Sequence, residues 1–144
     1  MNWVSLILPL LALGPSPSGH PPLVVAQDGA GDFRTIQAAL DSIPGGSTEP
    51  RTIFVRSGTY REKLFINSSH LSLVGEDRAR TRIEFAELRR NWRATHADDW
   101  GAAVVNIGPA VTDLVLANLT VHNDYGARHG DHDHQFAVRS MGNA

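Results

Sequence analysis

Between His129 and Gln135 the chain reads His-Gly-Asp-His-Asp-His-Gln, its densest run of side chains able to do chemistry. Three imidazoles and two carboxylates so close together could ligate zinc or another divalent ion. In an extended backbone His132 and His134 share one face and Asp131 and Asp133 the other, so one compact site requires a turn. The competing reading is a polar loop at the rim of a groove, with a charge that responds to pH near the histidine pKa. Gln135 carries a neutral amide, which can donate to a developing oxyanion or hydrogen-bond along neighbouring backbone. A second group lies upstream: Arg89, Arg90, Trp92, Arg93 and Trp100. Aromatic faces stack on sugar rings and guanidinium groups pair with carboxylates, which suits an acidic carbohydrate. A surface loop folded back on the molecule around one buried Trp fits the same residues equally well.

Composition narrows the field. The 144 residues are 42% hydrophobic, enough for one domain with a sizeable core. Thirteen basic and fifteen acidic residues leave a net charge of -2, which offers no field for gathering nucleic acid or anionic lipid. With no cysteine there are no disulfides and no thiolate metal sites. Residues 4–13, VSLILPLLAL, are too short to cross a bilayer but match the apolar core of an export signal, and small turn-forming residues follow. Cleavage near Ser18 or Gly19 is expected, giving a signal peptide over residues 1–19 and one domain over residues 20–144. The alternatives are an N-terminal core strand or a start site assigned too early.

The elements that must hold the two reactive groups come next. Residues 23–27 have strand character, and Asp28-Gly29-Ala30-Gly31-Asp32 forms a turn. Ile36, Ala39, Leu40 and Ile43 fall at helical spacing, which predicts a helix over residues 35–43 with Asp32 or Thr35 as N-cap and Pro44-Gly45-Gly46 as its stop. From residue 52 onward short strands succeed one another: TIFV, LFI, LSLV, RIEF, AVVNI and LVLANLTV, all separated by polar or glycine-containing corners. Alternation puts Ile53 with Val55, Leu71 with Leu73 and Leu114 with Leu116 on a common side. Such spacing suits a solenoid whose coils bury their apolar sides against one another, and it suits an antiparallel sandwich as well.

Residues 24–44, VVAQDGAGDFRTIQAALDSIP, resemble the opening of a pectin methylesterase. The segments VRSGTYREKL (55–64), LSLVGEDRARTRI (71–83), AVVNIG (103–108) and LVLANLTVHND (114–124) resemble later segments of that family, in the family's order. The resemblance implies an all-β fold, a right-handed parallel β-helix with the helix over residues 35–43 capping its N-terminal end. It also implies hydrolysis of galacturonate methyl esters in pectin, with release of methanol and without metal or other cofactor. In the family one aspartate attacks the ester, a second works as acid and then base, an arginine orients the nucleophile, and glutamine amides hold the oxyanion.

His134-Gln135-Phe136-Ala137-Val138 resembles the family's first glutamine segment, so the resemblance gives Gln135 the role of oxyanion-hole donor. The aspartates and the arginine would follow residue 144; Asp124, Asp131 and Asp133 precede Gln135 and are not carried over. Trp92, Arg93, Trp100, His132 and His134 are the expected substrate contacts, with pectin or homogalacturonan as partner. Residues 84–96 look like an insertion, Asp98-Asp99-Trp100-Gly101 departs from the family pattern, and Arg139 and Ser140 do not reproduce the usual ending of the glutamine segment. These departures suggest a divergent branch of bacterial type. The expected whole is a secreted monomer of which this chain is the N-terminal part, inactive and poorly stable alone. A non-catalytic β-helix that binds acidic polysaccharide is the alternative. Asn67-Ser68-Ser69 and Asn118-Leu119-Thr120 fit the glycosylation pattern, but the second falls within an expected strand and neither is given weight.

Overall fold

Short apolar runs broken by polar corners cannot bury themselves alone; here they do so by stacking. The computed structural model describes residues 19–142, so the expected export signal lies outside the described residues. The strands are β1 (Leu23–Val25), β2 (Arg51–Val55), β3 (Gly58–Tyr60), β4 (Leu64–Ile66), β5 (Leu71–Gly75), β6 (Thr81–Phe85), β7 (Ala103–Ile107), β8 (Leu114–Ala117), β9 (Thr120–Asn123) and β10 (Phe136–Ser140). They form three sheets ordered β1-β2-β5-β8, β3-β6-β9 and β4-β7-β10, and every strand pairing is parallel. Each full coil therefore supplies one strand to each sheet, the signature of a parallel β-helix. The antiparallel sandwich is excluded, because hairpin-connected neighbours would pair antiparallel.

Register carries the sequence alternation straight into the core. Leu23 lies opposite Ile53, Ile53 opposite Leu73, and Leu73 opposite Leu116, while Leu71 lies opposite Leu114. Ile53, Val55, Leu71 and Leu73 are buried, and Leu114 and Leu116 pack against them, as alternation requires. Leu64, Ile66, Ile83, Val105 and Tyr60 close the core from the other two sheets. Tyr60 keeps its hydroxyl satisfied there by donating to the Arg56 carbonyl at 2.9 Å, and burial pushes its pKa up.

Helix α1 (Ile36–Asp41) covers the first coil, burying Ile36, Ala39 and Leu40. Thr35 is its N-cap and accepts from the Ala38 N–H, while Asp32 instead accepts from the Val24 N–H of β1. The two foremost amides of the helix, on Ile36 and Gln37, donate to the Glu62 carboxylate at 2.9 and 3.0 Å. That anion satisfies orphan donors and complements the positive end of the helix. Gln37 then reaches β4, where its Oε1 accepts from the Phe65 N–H and its Nε2 donates to the Phe65 carbonyl. One side-chain amide thus occupies the strand edge as a neighbouring peptide group would.

Three corners and connections differ from the sequence expectation. LVLANLTV is two strands, because Asn118 adopts φ 55° and turns the chain between β8 and β9. Its Nδ2 donates to the carbonyls of Gly75 and Glu76, so the Asn118 side chain belongs to a corner and is engaged there. Gly75 is required opposite it: a Cβ would stand 2.2 Å from the Asn118 carbonyl oxygen. Arg56 and Ser57 make the corner after β2, since Gly58 already begins β3. The insertion expected from residue 84 leaves the coil only after β6, as Glu84 still pairs opposite His122. It contains a short helix α2 (Arg89–Arg93), and a second short helix α3 (Tyr125–His129) occupies the corresponding connection one coil later.

The connection holding α2 folds over the outer face of β4 and β7. Trp100 rests edge-on against Phe65, with ring centroids 5.3 Å apart. Asn106 of β7 is fully buried beneath it and uses its whole amide: Oδ1 accepts from Gly101 and Ala103, and Nδ2 donates to the carbonyls of Leu64 and Ala103. Removing that amide strands several buried backbone groups at a cost of ~1–3 kcal/mol each before relaxation. Asn106→Ala is expected to lose about 3 kcal/mol in urea denaturation; a change below about 1 kcal/mol would show that water replaces the side chain.

Acid stability follows from two carboxylates held below the usual range. Glu76 accepts from the Ser57 N–H, its main cause, and Glu84 accepts from the Arg82 guanidinium. Both pKa values are lower folded than unfolded, so the stability they contribute is present above the ordinary carboxylate pKa and is lost as pH falls through the folded value. The melting temperature should fall below about pH 4, and the wild-type advantage over Glu84→Gln should shrink across that range; an advantage independent of pH would refute the assignment.

Candidate active site

The two extruded connections, one per coil, stack on each other and form the surroundings of Gln135. Asn123, the last residue of β9, clamps them together. Its Oδ1 accepts from Glu87 and Tyr125, and its Nδ2 donates to the carbonyls of Glu87 and Phe136. Asn91 of α2 donates to the Tyr125 hydroxyl at 2.9 Å, and the Arg89 N–H donates to the His134 carbonyl. Arg90 bridges to Asp131 and Asp133 in the loop after α3. The backbone N–H of Asp133 and then the Arg90 guanidinium hold the Asp131 carboxyl below its usual range.

Gln135 stands directly before β10. Its Oε1 accepts from the Gly126 N–H in α3 at 2.7 Å. Among the described residues nothing accepts from its Nε2. The carbonyl end is therefore fixed and the donor end is presented, the arrangement an oxyanion donor needs. Gly126 makes the approach possible: a Cβ there would lie 2.3 Å from His132 Nδ1 and 2.9 Å from Gln135 Nε2. His132 thus packs beside the glutamine, against the same turn of α3.

The remaining expected contacts are spread over two regions. His134, at φ 36°, contacts the Asp133 carboxylate through Nδ1. Among the described residues no three His, Asp or Glu side chains converge as metal ligands would. The carboxylates of the His129 to His134 run turn to Arg90 and to their own loop instead. Trp92 donates from Nε1 to the Asp98 carbonyl, stacks on His96 with centroids 3.5 Å apart, and has the Lys63 ammonium 4.2 Å from its ring. That ring is largely occupied within the protein. Trp100 is half-buried and lines an open depression of about 360 Å³ with Asn67, Asp98, Pro109 and Met141. Arg93 reaches towards Asp99 at 3.8 Å.

Several residues of this region escaped the sequence reading. Asp99, with a side chain 8% exposed, gathers Arg89 and Arg139 as well as Arg93. Asn123 and Gly126 supply the positioning of Gln135. A glycine between Tyr125 and the helix-compatible Ala127-Arg128-His129 was the available signal for Gly126; nothing local marks Asn123 as a four-way clamp.

Comparison with known proteins agrees with this architecture. The Pectinesterase family model matches residues 22–142. Pectinesterase 1 of Citrus sinensis is 39% identical over 105 residues, covering 72% of this chain and 18% of the relative. Pectin methylesterase from carrot superposes with a TM-score of 0.70 at 24% identity, over 90% of this chain and 38% of that one. A pectin methylesterase in complex with a hexasaccharide gives a TM-score of 0.63 at 28% identity, over 85% of this chain and 40% of that one. The chain thus spans less than half the length of each of these proteins. A parallel β-helix with a fixed glutamine before β10 and a family match over nearly all the described residues place this chain in the pectinesterase family.

Proposed function

We propose that this chain forms the N-terminal coils of an enzyme that hydrolyses methyl esters of galacturonate in pectin, with Gln135 as an oxyanion-hole donor. The observation that carries the reading is the Gln135 amide, pinned through Oε1 by Gly126 and left with its N–H donors unspent. When a carboxylate attacks the ester carbonyl, negative charge collects on the former carbonyl oxygen before methanol leaves. A neutral donor stabilises that charge without competing for it as a counter-ion, and it does so most strongly when its position costs no reorganisation. His132 and the Arg90-linked loop border the donor and give the groove a polar rim.

The nucleophilic aspartate, the acid–base aspartate and the orienting arginine of the family follow the glutamine in chain order, and nothing within residues 1–144 matches them. In this reading they are supplied from outside these residues. Family membership supports a pectin substrate, and the bound hexasaccharide of a structural neighbour supports a carbohydrate partner. Trp100, which lines an open depression, is the aromatic contact this reading favours. We further propose that the protein works as an exported monomer, with residues 1–19 removed; no helix among the described residues is long and apolar enough to cross a membrane.

Methanol release from highly methylated pectin tests the reading, with the 144-residue chain assayed beside a longer product of the same reading frame. Activity confined to the longer form is expected. Release from neither would favour the non-catalytic module that binds acidic polysaccharide. In the active form Gln135→Ala should lower kcat by about 10²-fold with little change in KM; a loss expressed in KM alone would remove Gln135 from the oxyanion hole.

A further inference from the structure

We propose that His132 is a positioning residue for the reaction, whose protonation state decides whether the N–H donors of Gln135 are free to serve an oxyanion. This rests on the esterase reading above and adds to it a control by pH. Gly126 supplies the geometry. A Cβ placed there would lie 2.3 Å from His132 Nδ1 and 2.9 Å from Gln135 Nε2, so a ring nitrogen and the amide nitrogen stand over one small patch of backbone. Among the described residues neither atom has a hydrogen-bond partner. The amide nitrogen is always a donor, while the ring nitrogen donates or accepts according to its proton.

The loop that carries the ring holds it there. α3 ends on Gly130, whose φ of 68° reverses the chain and whose N–H donates to the Gly126 carbonyl at 2.8 Å. The Asp133 N–H then donates to Asp131 at 3.1 Å, and the His134 carbonyl accepts from the Arg89 N–H. The other ionisable groups of these elements already have partners. Asp131 and Asp133 share Arg90 of α2, and His134 contacts Asp133. On α3, His129 packs against Tyr125, whose hydroxyl accepts from Asn91, and Arg128 pairs with Asp124. Among the described residues, His132 is the titratable side chain left uncommitted beside the amide.

A lone pair makes the difference between the two states. A neutral imidazole keeps one unprotonated nitrogen, and Nδ1 in that form accepts from Gln135 Nε2 after a small rotation of either side chain. The amide is then satisfied at both ends, by Gly126 at Oε1 and by His132 at Nε2, and its donor is withdrawn from the groove. Protonation fills the lone pair. An imidazolium has two donors and no acceptor, so the Gln135 N–H is released to a developing oxyanion. Asp131 lies close enough to attract the ring once it is charged, which keeps the imidazolium on this loop. Turnover is thus favoured below the ordinary histidine pKa of about 6.5 and declines as pH rises through it.

Two measurements test the coupling. In the longer product of the reading frame, kcat should fall about fivefold from about pH 5.5 to about pH 7.5, and His132→Ala should abolish that decline and hold kcat at its upper value. In the 144-residue chain, the NMR side-chain amide signals of Gln135 should shift over the same range with the midpoint of the His132 ring signals, and His132→Ala should leave them still. The Gln37 amide, sealed on β4, is the internal reference. A Gln135 signal that ignores pH across this range, or that still shifts in folded His132→Ala, would overturn the proposal, as would an alkaline decline of kcat that survives the substitution unchanged. The NMR readout needs no turnover, so a longer product that releases no methanol while the coupling persists would sink the esterase reading alone.

Discussion

In-register parallel stacking is the constraint on which everything else in this molecule depends. Ile53 faces Leu73 and Leu73 faces Leu116, so each apolar side chain is covered by the equivalent position of the next coil. A one-residue slip would turn a whole strand's core residues to solvent. Sheet surfaces are therefore fixed by the stack, and variation is confined to the corners and connections between strands. The two long excursions, carrying α2 and α3, leave the coil at the same corner. Stacked on each other, they build the surroundings of Gln135 without disturbing the register beneath.

Within that region charge and neutrality are separated. The Gln135 amide is held by a backbone N–H rather than by an ion. The charged groups around it are committed elsewhere: Arg90 to Asp131 and Asp133, and Lys63 to Glu87 at 2.6 Å. Asp124 stands at the N-cap position of α3, where its carboxylate pairs with Arg128 and Arg61 rather than with the helix amides. A neutral donor bordered by ion pairs keeps its environment polar without placing a full charge on the reacting oxygen. The Asp99 cluster is the exception, since there cations outnumber anions.

Local signals were readable where a single period or cap decides the outcome. Ile36, Ala39 and Leu40 at helical spacing and the Thr35 cap located α1, and alternation located the buried faces of β2, β5 and β8. Parallel pairing was not contained in those signals, because alternating short strands serve both stacked coils and hairpins; family resemblance decided it. The corner at Asn118 was missed because Leu-Val-Leu-Ala and Leu-Thr-Val read as one apolar run, while the left-handed backbone of an asparagine leaves no periodic trace. Gln135 was singled out through the resemblance around it, but its restraint by Gly126 is a tertiary contact. The Asp99 hub joins Arg89 to Arg139 across most of a coil, and no spacing rule announces such a meeting. Trp92 is stacked on His96 and Arg93 is turned towards Asp99, contacts that no spacing in the sequence announces.

The Gln37 amide on β4 has a consequence for how the molecule is assembled. A strand laid against that edge would offer a succession of peptide groups and would itself present a fresh edge for another. Gln37 offers one donor and one acceptor to Phe65 and then ends in a helix, which presents no ladder. Growth of the stack is thereby made directional. A coil can pair with β4 only from the β7 side, so the stack extends away from α1.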